Sequence, residues 1–255
     1  ALEEAAKRKM RFVVLDRPNP IRGDVVEGDL LDPDIKRMTG YFLIPVRHGF
    51  TVGELAHWMN ENQHLGADLT IVRMRGWHRN EWYDATGLPF VPPSPNIPDP
   101  TAALLYSGIG CFEATNMAVG RGTGEPFRLF GAPWLDASGL TAYLRQLNLK
   151  GILFETTDFV PAKDIYAGQT CHGVRMIVTD RNAVSPFEIF VASFLWIVRA
   201  QPKEFRPVWE EVRVVTGSER LHEAADGGWR LDDLLAYYRQ RAEEFKRAAA
   251  PFHLY

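Results

Sequence analysis

The chain has 255 residues and a formal net charge of −3, with 46% hydrophobic, 12% aromatic and 24% charged residues. That apolar share is enough for a core and excludes intrinsic disorder. The near balance of charge excludes a general nucleic-acid binder, which carries a strong basic excess. No apolar run approaches the roughly 20 residues of a membrane span; the longest, around Phe187–Val198, is broken by Glu188 and Ser193. With only Cys111 and Cys171, a disulfide scaffold and a four-cysteine zinc site are both excluded. One bridge between them stays open, and burial as free thiols is the expected fate.

In chain order, Ala1–Lys9 reads as an amphipathic helix rather than a secretory leader. It has no initiator Met and no strand before it, so residue 1 reads as a cut end. Arg11–Leu15 is a short apolar run, consistent with a buried strand. It ends in Asp16-Arg17-Pro18-Asn19-Pro20, where two prolines and an asparagine force a loop. Thr51–His64 is the next helix, opened by a T-x-x-E capping box at Thr51 and Glu54. Val52, Leu55, Ala56 and Met59 form its apolar face. Leu69–Val72 is a second strand, and the alternation predicts an α/β fold with parallel pairing.

The proline-rich stretch from Pro89 to Pro100 suits neither helix nor central strand. It reads as an ordered linker, with a boundary near residue 98. A short helix at Thr101–Tyr106 follows, then a glycine-rich, loop-rich section from Gly108 to Trp134. Ser138 is the expected cap of a helix carrying Leu140, Leu144 and Leu147. Gly151–Phe154 and Val174–Val178 read as strands, Phe187–Arg199 as a mostly buried helix, and Leu231–Arg247 as a strongly amphipathic one. No internal repeat or low-complexity tract is present.

No generic catalytic signature occurs: no G-x-S-x-G, H-E-x-x-H, P-loop or G-x-G-x-x-G. Polar residues instead gather in turns. Asp16-Arg17-Pro18-Asn19-Pro20, with Arg22 and Glu27 downstream, shows carboxylate, guanidinium and amide to a polar ligand, or is a proline turn stapled by its own side chains. His48, just before a helix N-terminus, is an acid/base group, a donor to a sugar, or a histidine bonded to backbone. Trp77, in Gly76-Trp77-His78-Arg79, is a stacking face or a core residue. The densest cluster runs from Glu113-Ala114-Thr115-Asn116 to Gly120-Arg121-Gly122-Thr123. A self-satisfied loop has no need of a Glu followed three residues later by Asn and eight later by Arg. Trp134 is a second possible stacking face. Cys171-His172 is half a metal site with no second pair, so no metal is expected.

In order, Asp16-Arg17-Pro18-Asn19-Pro20, Val26-Glu27-Gly28, Pro45-Val46-Arg47-His48-Gly49, Thr51-Val52-Gly53-Glu54, Pro93-Ser94-Pro95-Asn96-Ile97-Pro98, Glu113-Ala114-Thr115-Asn116, Gly120-Arg121-Gly122-Thr123 and Gly131-Ala132-Pro133-Trp134 resemble the NamZ-type exo-β-N-acetylmuramidases, long catalogued as a domain of unknown function. The resemblance covers nearly the whole chain. It implies a hydrolase that removes terminal N-acetylmuramic acid from the non-reducing end of peptidoglycan fragments, with no metal, nucleotide or other cofactor. It implies the C-terminal part of a Rossmann-like domain at 1–97 and a smaller α+β domain at 98–255 that completes the cleft. Family members carry a further N-terminal portion with a Glu-His-Gly motif whose glutamate is the favoured catalytic acid. This chain lacks that motif, which leaves open a fragment, pairing with a chain that supplies the missing half, or a non-catalytic muramyl-sugar-binding module. Arg22 stands where a second glycine is common, and Ala114 where glycine is common. The implied substrate lies in the cell envelope, although the chain shows no export signal.

Glycoside hydrolysis generally uses two carboxyl groups. The expected catalytic residues are Glu113, Asp16 and His48. The lactyl carboxylate of the sugar suits an arginine fork, for which Arg121 and Arg47 are the candidates, then Arg79. Asn19, Asn116 and Trp77 complete the expected sugar contacts.

Overall fold

The computed structural model describes residues 1–255, and its N-terminal part is built around one parallel β–α–β unit. After a short helix α1 (Leu2–Lys7), strand β1 (Phe12–Leu15) pairs in parallel with β2 (Leu69–Val72), Phe12 opposite Leu69 and Leu15 opposite Val72. Helix α2 (Val52–Asn62) makes the crossover. It begins with the capping box that the spacing predicts. The Thr51 hydroxyl accepts from the Glu54 amide at 3.2 Å, and the Glu54 carboxylate accepts from the Thr51 amide at 2.9 Å. Asp16 supplies a second cap from the end of β1, accepting from the Gly53 amide and the Thr51 hydroxyl, each at 2.8 Å. A carboxylate is favoured at this positive helix end. Position 53 takes glycine because a Cβ there would lie 2.7 Å from the Asp16 carboxyl carbon. Val14 and Ile71 face α2, while Val13, Leu15 and Val72 on the opposite face are exposed. These residues form one β–α–β unit with a two-stranded parallel sheet.

The C-terminal part is α+β. Helix α3 (Pro100–Ile109) starts at Asp99, whose carboxylate accepts from the Ala102 amide at 2.9 Å, with proline in the first turn. Strands β3 (Leu129–Ala132), β4 (Ile152–Phe159) and β5 (Cys171–Val178) form an antiparallel sheet in the order β3-β5-β4. Helix α4 (Ala137–Gln146) packs against it, and the apolar α5 (Pro186–Ala200) packs against α3 and α4, followed by α6 (Trp209–Thr216), α7 (Arg220–Asp226) and α8 (Leu231–Ala249). Phe112 is the hub of the core. Its ring stacks on Phe130 at 5.1 Å and meets the Phe190 edge at 4.9 Å. Both cysteines are buried and free, so no bridge joins them.

Several expectations are revised. The loop-rich section contains β3, and β4 and β5 are longer than the apolar runs that signalled them. Their outward residues, such as Glu155 and His172, hide the strand pattern. Asp136, not Ser138, caps α4, accepting from the Gly139 amide at 2.9 Å. Helices α6 and α7 have no counterpart in the sequence reading. The Pro89–Pro100 segment is ordered, with Ile97 packed on the main core and Phe90 edge-on to Tyr83 at 5.4 Å. No helix is long and apolar enough to cross a membrane.

Two polar ties join the N-terminal elements to the helices that follow. The first is buried. Glu27 and Arg47 form a backbone bridge, and the Arg47 guanidinium pairs with one Glu27 oxygen. The other oxygen accepts from the Ser185 hydroxyl at 2.6 Å and the Phe187 amide at 3.2 Å, at the start of α5. Arg47 also donates to the Ile21 carbonyl at 2.7 Å. The second is the C-terminal segment. The Tyr255 hydroxyl donates to Asp16 at 2.7 Å and accepts from the Met74 amide at 2.9 Å, while the Leu254 amide donates to Glu54 at 2.8 Å. Removing one partner of a buried ion pair strands the other charge. Arg47→Met is therefore expected to destabilise the protein by about 3–5 kcal/mol, measured as a lower urea midpoint; an unchanged midpoint would show that the pair contributes nothing to holding these elements together.

Candidate active-site groove

Two adjoining cavities form a groove at the C-terminal end of β1, the place where α/β sheets offer loops to ligands. The larger, about 640 Å³, is walled by the Asp16–Pro20 loop from Arg17 onward, the Arg47–Val52 approach to α2, the proline segment at Phe90–Pro93, and α3. The second, about 470 Å³, lies between the Met38–Val46 segment, the end of α3 with Cys111 and Glu113, and the end of α6. Ile21, Val46, His48, Ala103 and Tyr106 line both and join them. Volumes of this size suit small-molecule sites.

His48 stands at the junction. Its Nδ1 accepts from the Phe50 amide at 3.0 Å. Burial holds its pKa down, to about 4, against the opposing charge of Glu54. The imidazole is therefore neutral near pH 7, and since Nδ1 is an acceptor, Nε2 carries the proton. Of the roles read from the sequence, this chemistry fits a hydrogen-bond donor, not a group that charges near neutrality.

Glu113 lies in a short 3₁₀ turn after α3. The turn sends Phe112 into the core and the carboxyl into the second cavity. Burial raises its pKa above the usual value; Arg121 opposes this and Asp164 adds to it. Arg121 pairs with Glu113 at 2.8 Å through Nη1 and with Asp164 through Nε, so neither contact uses Nη2. The glycine loop delivers this arginine. Gly122 has φ +78° and crosses the Lys163 backbone so closely that a Cβ would lie 2.6 Å from its carbonyl oxygen, bringing Arg121 beside Asp164.

The other expected residues are placed differently. Asp16 serves as the α2 cap and accepts from Tyr255, and it lines neither cavity. Asn19 borders the larger cavity, but its amide is used within the loop, donating to the Phe50 carbonyl at 3.0 Å and accepting from the Ile21 amide at 3.1 Å. Arg47 is spent on Glu27 and Ile21. Arg79 pairs with Glu54 and donates to the Gly23 and Gly49 carbonyls at 2.6 and 2.8 Å. Trp77 is buried edge-on to Tyr255, so it offers no open stacking face. Asn116 joins two chain segments, donating to the Glu204 carbonyl at 2.9 Å and accepting from the Arg206 amide at 2.7 Å. Trp134 donates to the Tyr166 hydroxyl at 3.1 Å. Arg22 is turned away from the groove toward Asp24 and Asn182; its φ of +72° is a conformation that glycine adopts without strain.

One groove residue carries no ligand signal in the sequence, and another is legible there only as part of its loop motif. Tyr106, half exposed, stands where the cavities meet, its ring edge-on to Phe127 at 4.8 Å and over Gly110. Its signal was obscured because it occupies an ordinary apolar position of α3. Arg17 lines the larger cavity. It was visible in the loop motif, but sequence alone could not separate it from the arginines turned inward.

Comparison with known proteins identifies the family. Residues 1–101 match the model of the N-terminal part of exo-β-N-acetylmuramidase NamZ, and residues 104–255 match that of its C-terminal part. Along its entire length the chain is 34% identical to peptidoglycan β-N-acetylmuramidase NamZ of Bacillus subtilis (strain 168), and it spans 62% of that protein's length. Two crystallised DUF1343 family proteins of Bacteroides fragilis superpose on the whole chain with TM-scores of 0.91 and 0.79, at 31% and 27% identity. The chain covers 69% of each of them. A mixed α/β fold, both family models and the length of the match lead to one conclusion: the chain belongs to the NamZ family of exo-β-N-acetylmuramidases.

Proposed function

We propose that this chain forms the substrate groove of a peptidoglycan glycoside hydrolase that releases terminal N-acetylmuramic acid. Family membership and the likeness to a protein named as a peptidoglycan β-N-acetylmuramidase support the reaction class. The observation that carries the reading onto residues is Glu113: a carboxyl in the groove, held toward its protonated form by burial and steadied by Arg121. Hydrolysis of a glycosidic bond needs a proton donor and a second carboxylate placed about 5 Å away for retention or 6.5–9.5 Å for inversion. Glu113 fills one of these places. Asp16 does not fill the other, because its oxygens are committed to α2 and Tyr255. His48 donates from Nε2 to a sugar oxygen or an N-acetyl carbonyl, and the wall between residues 1–97 and 98–255 positions the ring.

One observation favours a second reading, a muramyl-sugar-binding module without turnover. Among the residues lining the groove the only carboxylates are Glu113 and Asp29, and Asp29 already receives Ser218, Tyr237 and Arg241. Binding without release of the sugar would support that reading.

Glu113→Gln keeps the size of the side chain and removes its titration. In the intact protein, kcat toward a chromogenic N-acetylmuramide is expected to fall by about 10²–10⁴-fold, with KM within a few fold; unchanged turnover would remove Glu113 from the chemistry. The His48 imidazole is expected to titrate near pH 4 in an NMR pH series. Its folded pKa lies below the unfolded value of about 6.5, so the unfolded chain binds the extra proton first. Its contribution to stability is full above pH 6.5 and is lost as the pH falls through about 4. A titration midpoint near 6.5 would contradict the burial that sets its donor role.

A further inference from the structure

We propose that Arg17 is the specificity-determining residue of the groove, receiving the carboxylate of an acidic amino sugar; this rests on the hydrolase reading for the class of sugar, and on the larger cavity alone for its charge. The other arginines near the groove are already paired. Arg47 is neutralised by Glu27, Arg79 by Glu54, Arg22 by Asp24, and Arg121 by both Glu113 and Asp164. Arg17 is exposed, lines the larger cavity, and its guanidinium has no partner in the protein.

The loop explains why. Asp16 and Asn19 use their side chains to fix it, Asp16 by accepting from the Arg17 amide at 2.9 Å and by capping α2, Asn19 by bridging to Phe50 and Ile21. Pro18 and Pro20 lock the backbone between and after them. The residue left to face outward is the guanidinium, on a rigid support. The walls around it complete the case. No aspartate or glutamate lines the larger cavity, and apart from Arg17 its one charged group is the internally paired Arg47. A cavity of that kind favours an anion, and a planar fork binds a carboxylate through two parallel hydrogen bonds. Glu113 lies in the adjoining cavity, past His48 and Tyr106, so the acidic substituent would be held apart from the carboxyl that carries the chemistry.

The test is binding, which needs no turnover. Calorimetric titration of the intact protein compares N-acetylmuramic acid, its methyl ester and N-acetylglucosamine. A charge-assisted contact is worth about 10- to 100-fold in affinity. The unaltered protein is expected to prefer the acid over both neutral sugars by that factor. Arg17→Ala should bring the acid down to the affinity of the ester while leaving N-acetylglucosamine binding in place, which also reports that the variant is folded. Arg17→Lys should fall between, keeping the charge without the fork. An unaltered protein that binds acid and ester alike, or an Arg17→Ala protein that keeps the preference, overturns the assignment. Release of sugar from a chromogenic N-acetylmuramide, followed in parallel, reports separately on the hydrolase reading.

Discussion

The ion pair of Glu27 and Arg47, sealed between the N-terminal segment and α5, is the constraint on which the groove depends. Two charges taken out of water cost several kcal/mol each unless their remaining donors and acceptors are satisfied. Here nearly all are. Glu27 receives the guanidinium, the Ser185 hydroxyl and the Phe187 amide, and Arg47 reaches the Ile21 carbonyl as well. Only the Arg47 Nε remains without a partner. Because each contact requires the others, the pair permits few arrangements of Ile21, Val46, His48 and the start of α5. The first three of those residues line both halves of the groove. A buried pair of this kind is better understood as fixing geometry than as adding net stability.

The same logic sorts the polar residues of the loops. Every candidate in the sequence has a side chain capable of touching a sugar. The fold uses Asp16, Asn19, Arg47, Arg79 and Asn116 to bind the protein to itself, and presents Arg17, His48 and Glu113 to the groove. The resulting electrostatics are asymmetric. The cavity beneath Arg17 has no carboxylate, whereas its neighbour holds Glu113 with its proton affinity raised by burial. His48 lies between them, its imidazole neutral and its Nε2 carrying the proton. For the proposed acidic sugar, that order separates the group that recognises charge from the group that handles the proton.

Much of the fold was legible because its signals are local. The T-x-x-E box at Thr51 and Glu54 begins α2, the apolar run at Phe12–Leu15 is β1, and the parallel pairing follows from helix between strands. Helices α6 and α7 were not legible. Each is short, neither has a side-chain cap, and packing of α6 on the 3₁₀ turn after α3 and of α7 on α5 and α6 supplies what local propensity does not. For the site, the loops were legible but the division of labour within them was not. Whether an arginine serves the protein or a ligand depends on a partner far along the chain, such as Glu54 for Arg79. Trp77 failed as a stacking face for the same reason, since the residue that covers it, Tyr255, is at the other end of the sequence.

The central claim is that Arg17, His48, Tyr106 and Glu113 face one continuous groove that holds an amino sugar. Residue-resolved NMR during titration with N-acetylmuramic acid tests it most directly. The account predicts saturable shifts that share one binding constant and group at Arg17, His48, Tyr106 and Glu113. Shifts absent from these residues, or gathered on another face such as the surface around Arg128 and Arg175, would contradict it.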